Sequence, residues 1–84
     1  MSELNDIAEL MEGVLGDSHV PRNIRAVVED AKNKIVNEKD KKLAISSAIY
    51  KLEDISNDIN MPAHTRTEIW MIISELEGMR EKIK

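Results

Sequence analysis

One way of ending a helix and starting the next is written twice in this 84-residue chain, and that repetition limits the fold more than any other feature. In the run from Asp58 to Trp70, Pro62 suits the first position of a helix, where its missing N–H would have no partner anyway. Met61 precedes it and is pushed out of the α region, so the helix cannot begin earlier. Asn57 stands where the preceding helix must stop, and Asn tolerates the left-handed conformation that many helix ends adopt. A shift of 41 residues carries Asp58 onto Asp17, Pro62 onto Pro21, Arg66 onto Arg25 and Glu53 onto Glu12, and replaces Asn57 by Gly16. The apolar positions follow: Leu4/Ile45, Met11/Leu52, Val14/Ile55, Val20/Met61, Val28/Ile69, Ala31/Ile72 and Ile35/Leu76. Few pairs are identical, but capping chemistry and apolar spacing agree. The expectation is one domain over 1–84, made of two degenerate helix–turn–helix hairpins, about 3–37 and about 40–83.

Helical periodicity supports four helices. Residues 3–15 place Leu4, Ile7, Ala8, Met11, Val14 and Leu15 on one stripe, with Ser2 as a candidate N-cap and Gly16 as the stop. A second helix opens at Pro21, carries Ile24, Val27, Val28, Ala31 and Ile35, and stops near Asn37. Asp40 caps a third that runs to about Ser56, with Ala44, Ile45, Ala48, Ile49, Leu52 and Ile55 inward. The fourth runs from Pro62 to about Lys82 with Ile69, Ile72, Ile73, Leu76, Met79 and Ile83, and Gly78 inside it invites fraying beyond that point. Period-two alternation is absent wherever apolar residues cluster, so no strand is expected. The fold class is all-α, a compact four-helix domain that is either bundle-like or a stack of hairpins, with the repeat favouring the stack.

The run from Ile55 to Trp70, with Asn57-Asp58, Asn60-Met61-Pro62 and His64-Thr65-Arg66-Thr67, resembles a small archaeal family, uncharacterised protein family 0147. The likeness extends more loosely from about Val20 to Leu76, and departs at Ile59, where the family pattern has proline. The resemblance implies an all-helical domain, an archaeal source and no assigned activity. HEAT repeats are a looser likeness, carried by an Asp in the turn and an Arg early in the second helix, here Asp17 with Arg25 or Asp58 with Arg66.

Composition excludes several classes of function. With no Cys there is no disulfide framework and no thiol chemistry, which fits a reducing cytoplasm. The longest apolar run, Ile69–Ile73, falls far short of the roughly 20 residues of a membrane span. The N-terminal stretch carries Glu3 and Asp6 in place of a basic region, so no signal peptide is expected. The formal net charge is −4 and no Lys or Arg precedes Arg22. The basic residues are scattered and form no stripe able to neutralise phosphates. Gly occurs three times and never as a phosphate-binding loop. Asp17-Ser18-His19 holds the residue types of a hydrolytic triad, but consecutive residues in a turn cannot form the relay. His64 and Glu68 share a helix face and could reach one metal ion, yet two ligands are too few for a zinc site. Neither an enzyme, a cofactor nor a metal is expected.

The informative residues lie off the stripes. Trp70 and Met71 point about 130° from the centre of the fourth helix's stripe, at roughly 100° per residue. Their repeat mates are Glu29 and Asp30. Leu43 and Tyr50 lie opposite the stripe of the third helix. Trp, Tyr and Met are enriched at protein interfaces. The competing reading makes Trp70 one edge of a wide core, its indole N–H bonded to a carboxylate. Asp17/Arg25 and Asp58/Arg66 read as structural devices, the Asp accepting backbone N–H bonds at the helix start and the Arg tethering the turn, because they occur in both copies. The expectation is a small cytoplasmic protein-interaction module acting through Leu43, Tyr50, Trp70 and Met71, with a second copy of itself among the candidate partners. The alternative is an RNA- or ribosome-associated protein using Arg80, Lys82 and Lys84 with Arg22 and Arg25.

Overall fold

The computed structural model describes residues 2–82, with side chains from Asn5 onward. Four α-helices account for most of them: α1 (Ser2–Leu15), α2 (Arg22–Asn37), α3 (Lys41–Ile55) and α4 (Ala63–Lys82). The expected contributions of Ser2, Leu4, Ile83 and Lys84 lie outside the described side chains. Each helix buries the stripe its periodicity marks out. α1 contributes Ile7, Met11 and Val14, and α2 contributes Ile24, Val28, Ala31 and Ile35. All six marked residues of α3 are buried, as are Ile69, Ile72, Ile73 and Leu76 of α4. Leu15, Val27 and Met79 close the edges of this single cluster. Burying one Ile or Leu is worth about 1.5–3 kcal/mol, so the four stripes supply the main drive to fold.

The helices form a closed ring. α1 packs on α2 and α4, and α3 packs on the same two, with no contact across either diagonal among the described residues. This is the arrangement of an up-and-down bundle, 36 × 20 × 17 Å in extent. A HEAT-like stack, which the repeat had favoured, would set α1 on α3 and α2 on α4. Neither contact forms, because short connections make neighbours antiparallel and all four stripes turn to one axis. At one end Asp40 caps α3 by accepting from the Leu43 N–H at 3.2 Å, and Lys41 Nζ donates to the Ile35 carbonyl at 2.8 Å, satisfying the last turn of α2.

The α1–α2 and α3–α4 turns, at the other end, share their closing backbone bonds. Asp17 N–H donates to Val14 O and Val20 N–H to Asp17 O; Asp58 N–H donates to Ile55 O and Met61 N–H to Asp58 O. Each Asp closes its own turn by accepting from the amide two residues on, His19 at 2.9 Å and Asn60 at 2.8 Å. These are Asx turns, so the carboxylates act inside the turn and not at the helix start. Each Arg binds turn carbonyls: Arg25 donates to Val20 O at 3.1 Å, and Arg66 to Asp58 O at 2.9 Å and Ser56 O at 3.3 Å. Val20 and Met61, held extended by the following proline, drop into the core.

Three local expectations need correction. Pro21 (φ −57°, ψ 151°) is the cap of α2 and not its first residue, its carbonyl accepting from Arg25 N–H at 3.0 Å; Pro62 accepts likewise from Arg66. No described residue has a positive φ, so neither Gly16 nor Asn57 ends its helix in the left-handed conformation. Tight bonds such as Ser56 N–H to Glu53 O close α3 in right-handed geometry instead. α4 also continues unbroken through Gly78, since Leu76 and Met79 fasten that turn to the core.

The second oxygen of each turn carboxylate crosses to the other hairpin. His64 Nε2 donates to Asp17 Oδ2 at 2.7 Å, and Asn23 Nδ2 donates to Asp58 Oδ2 at 3.2 Å. The shift of 41 maps Asn23 onto His64, so one contact is made twice about a local pseudo-twofold. An ionised carboxylate only accepts, which assigns the donated proton to the imidazole. His19 Nδ1 lies 3.2 Å from the same Asp17. The His19 N–H and then the His64 ring hold the Asp17 carboxyl at about 2, below its ordinary 3.8. Because the folded value lies below the unfolded one, the stabilisation is complete above the ordinary value and drains away as pH falls toward the folded one. Asp17→Asn is therefore expected to flatten the acid limb of the stability–pH profile between about pH 4 and pH 2, measured by urea unfolding at each pH. An unchanged limb would show that other carboxylates set it.

Two buried polar atoms are unmatched among the described residues, Arg25 Nε of α2 and the Thr65 hydroxyl of α4. Thr65 is fully buried at the position where the first hairpin has Ile24, and its Oγ1 has no hydrogen-bond partner among the described residues. A buried hydroxyl without a partner costs about 1–3 kcal/mol. Thr65→Val keeps the shape and removes the hydroxyl, so the urea midpoint should rise by the equivalent of about 1 kcal/mol with an unchanged slope. A fall would mean that the hydroxyl is bonded.

Candidate functional site

The four off-stripe residues are all at the surface. Trp70 is 49% exposed and Met71 52%, while Leu43 and Tyr50 stand out from α3 at 56% and 75%. Trp70 is thus not the sealed edge of the core. The structure gathers Met71, but not Leu43 or Tyr50, into a groove. Between α1 and α4 a cleft of about 220 Å³ is lined by Glu9, Leu10, Gly13, Glu68 and Met71. A wider hollow of about 450 Å³, lined by Asp6, Ile7, Glu9, Leu10 and Glu75, continues it along the same seam. Trp70 lines neither hollow: at about 100° per residue it stands on the flank of α4 away from Glu68, Met71 and Glu75. Leu10, 38% exposed, lies outside the periodic stripe of α1, so periodicity alone does not single it out.

The local pseudo-twofold explains why this seam is open. Its counterpart lies between α2 and α3, which among the described residues pack more extensively than α1 does against α4. The repeat shift carries Leu10 onto Lys51 and Met71 onto Asp30. Those mates form an ion pair at 2.9 Å that bridges α2 and α3. Small buried residues, Ala31 on α2 with Ala44 and Ala48 on α3, allow those two helices to approach closely. Ile72 and Ile7 replace Ala31 and Ala48 at the α1/α4 seam, and the separation of packed helices grows with the bulk of the side chains between them. The signal was in the sequence, but only in pairs of positions compared together: Leu10 with Lys51, and Met71 with Asp30.

The other candidates are accounted for within the fold. His64 bonds Asp17 while Glu68 lines the groove, so the two share no ligand position in this structure. Asp17/Arg25 and Asp58/Arg66 make no charge pairs; each side chain bonds turn backbone, and the carboxylates cross to the opposite hairpin. Ser18 is exposed beside the Asx turn. No group of three or more His, Cys, Asp or Glu among the described residues is placed to hold a metal ion. The basic residues are separated: Arg22 begins α2 at the turn end, Arg25 is spent on Val20 O, and Arg80 and Lys82 end α4 at the far end. No helix among the described residues is long and apolar enough to cross a membrane. Ile59, where proline was the expected residue, sits at a turn tip and is exposed.

Comparison with known proteins agrees with this architecture. A relative from Methanocaldococcus jannaschii is 46% identical over 78 residues, covering 92% of this chain and 84% of its own length. Another from Methanothermobacter thermautotrophicus is 43% identical over 79 residues, covering 92% of this chain and 76% of its own length. A crystal structure from Thermoplasma acidophilum superposes with a TM-score of 0.87 at 34% identity, covering 93% of each chain. A second crystal structure, of a protein of unknown function, superposes at 0.85 with 49% identity, covering 89% of this chain and 86% of that one. The model of the Uncharacterised protein family (UPF0147) matches residues 1–79, and this chain belongs to that family.

Proposed function

We propose that the protein is a non-catalytic protein-interaction module of the cytosol. Its contact surface is centred on Trp70 and Met71 of α4 and extends to Leu10 across the groove. The observation that carries this reading is the contrast across the repeat: a half-exposed Trp-Met pair stands where the first hairpin has Glu29 and Asp30. Large side chains left half-exposed gain nothing for the monomer that a polar residue would not give. They gain a great deal when a partner desolvates them, since Trp is foremost among residues that dominate binding energy. Tyr50 and Leu43 offer further apolar surface on α3. The absence of Cys is consistent with the cytosolic assignment.

Capture from an extract of the source organism tests the reading, with wild type and a Trp70→Ala, Met71→Ser double variant as baits. A protein retained in stoichiometric amount by wild type should be lost by the variant. The reconstituted pair should weaken by roughly tenfold or more. Because both residues are half-exposed, the urea midpoint of the variant should move little. Retention of the same protein by both baits, with equal affinity, would overturn the assignment of the surface. Light scattering across a concentration range reports whether a second copy is the partner.

A further inference from the structure

The α1/α4 groove has a chemistry that selects its occupant. Leu10 and Met71 form its exposed apolar floor over the buried Ile7. Asp6 and Glu9 rim it from α1, and Glu68 and Glu75 from α4. Among the described residues no lysine or arginine lines either hollow, and no ion pair engages any of these four carboxylates. Elsewhere the protein does neutralise acids facing a neighbouring helix: Glu12 pairs with Lys32 between α1 and α2, and Asp30 with Lys51 between α2 and α3. At the α1/α4 seam both members of the counterpart ion pair are replaced by apolar residues, Leu10 for Lys51 and Met71 for Asp30.

Resting on the reading above, we propose that this groove binds a basic amphipathic helix of a partner protein. The acidic rims call for lysine or arginine on both flanks of the occupant, whose aliphatic stems cover the floor while their heads reach the carboxylates. The occupant is a helix and not a strand because α1 and α4 expose no unpaired backbone edge for strand addition, whereas paired helices offer a groove for apolar anchors one turn apart. Asp6 to Gly13 on α1, and Glu68 to Glu75 on α4, each span about 10 Å of helix, enough for two turns of such a segment. Gly13 leaves room beside the floor, since a Cβ built there meets nothing within 4 Å.

The probe is a fluorescein-labelled synthetic peptide of about four helical turns, with leucines on one face and lysines flanking them. It is titrated with the full chain and compared with two controls, one with glutamate replacing lysine and one with the same residues in scrambled order. Both controls should bind roughly tenfold or more weakly than the probe. Leu10→Lys with Met71→Asp re-creates the Lys51–Asp30 pair at the open seam and should weaken the probe by a similar factor. Gly13→Gln fills the groove from a position with free space and must do the same, which keeps the test decisive if the paired variant fails to fold. Equal binding of the scrambled peptide, or no effect of Gly13→Gln in a folded chain, overturns the proposal. A wild-type dimer that Leu10→Lys with Met71→Asp turns into a monomer assigns the groove to a second copy and also overturns it. If the probe fails while Trp70→Ala, Met71→Ser still releases a captured partner, the interaction reading stands and the basic-helix proposal falls.

Discussion

Each hairpin turn hangs on one carboxylate that does two jobs with two oxygens. Asp17 closes its own turn through the His19 amide and reaches the other hairpin through His64; Asp58 does the same through Asn60 and Asn23. Closing the turn fixes where Val20 and Met61 enter the core and where Pro21 and Pro62 release the next helix. Crossing to the opposite turn fixes which end of one hairpin meets which end of the other. These bonds lie at the surface, so they select an arrangement that apolar burial stabilises. Any change in turn length would misplace both the bond and the buried residue together.

The local pseudo-twofold that follows makes the departures from it informative. A symmetric molecule would have two equal seams, α2 against α3 and α4 against α1. The chain instead has alanines and an ion pair at one, isoleucines and a Leu10–Met71 pair at the other. Short side chains let helices approach, and bulky ones hold them apart. The open seam is therefore a consequence of core residue size, and its surface chemistry follows from the acidity of α1. Thr65, a buried hydroxyl where the first hairpin has Ile24, is a second departure, and it costs stability without bearing on the groove.

Much of this was legible in the residues. The four helices, the cap at Asp40 and the buried stripes follow from periodicity and capping chemistry, which are local. Helix ends were less legible. Pro21 stands one position outside its helix, and Gly16 and Asn57 never turn left-handed, because several backbone solutions can end a helix and packing chooses among them. Gly78 is a weak point by helix propensity, but its neighbours Leu76 and Met79 hold α4 to the core, and tertiary contact outweighs a local cost of about 1 kcal/mol. Trp70 and Met71 were legible as off-stripe residues, whereas Leu10 was not, since its meaning depends on which residue faces it across the seam.

By itself, then, the sequence determined the helices, the face each one buries and the paired turns, because these rest on contacts between residues a few positions apart. Only the tertiary structure decided that the hairpins close into a ring rather than stack. It alone sent Asp17 to His64 and Asp58 to Asn23. It alone brought the acids and apolar residues of α1 and α4 together along one groove. Those outcomes join residues 35 or more positions apart, and the local periodicity of the chain carries no information about which distant side chain completes a pair.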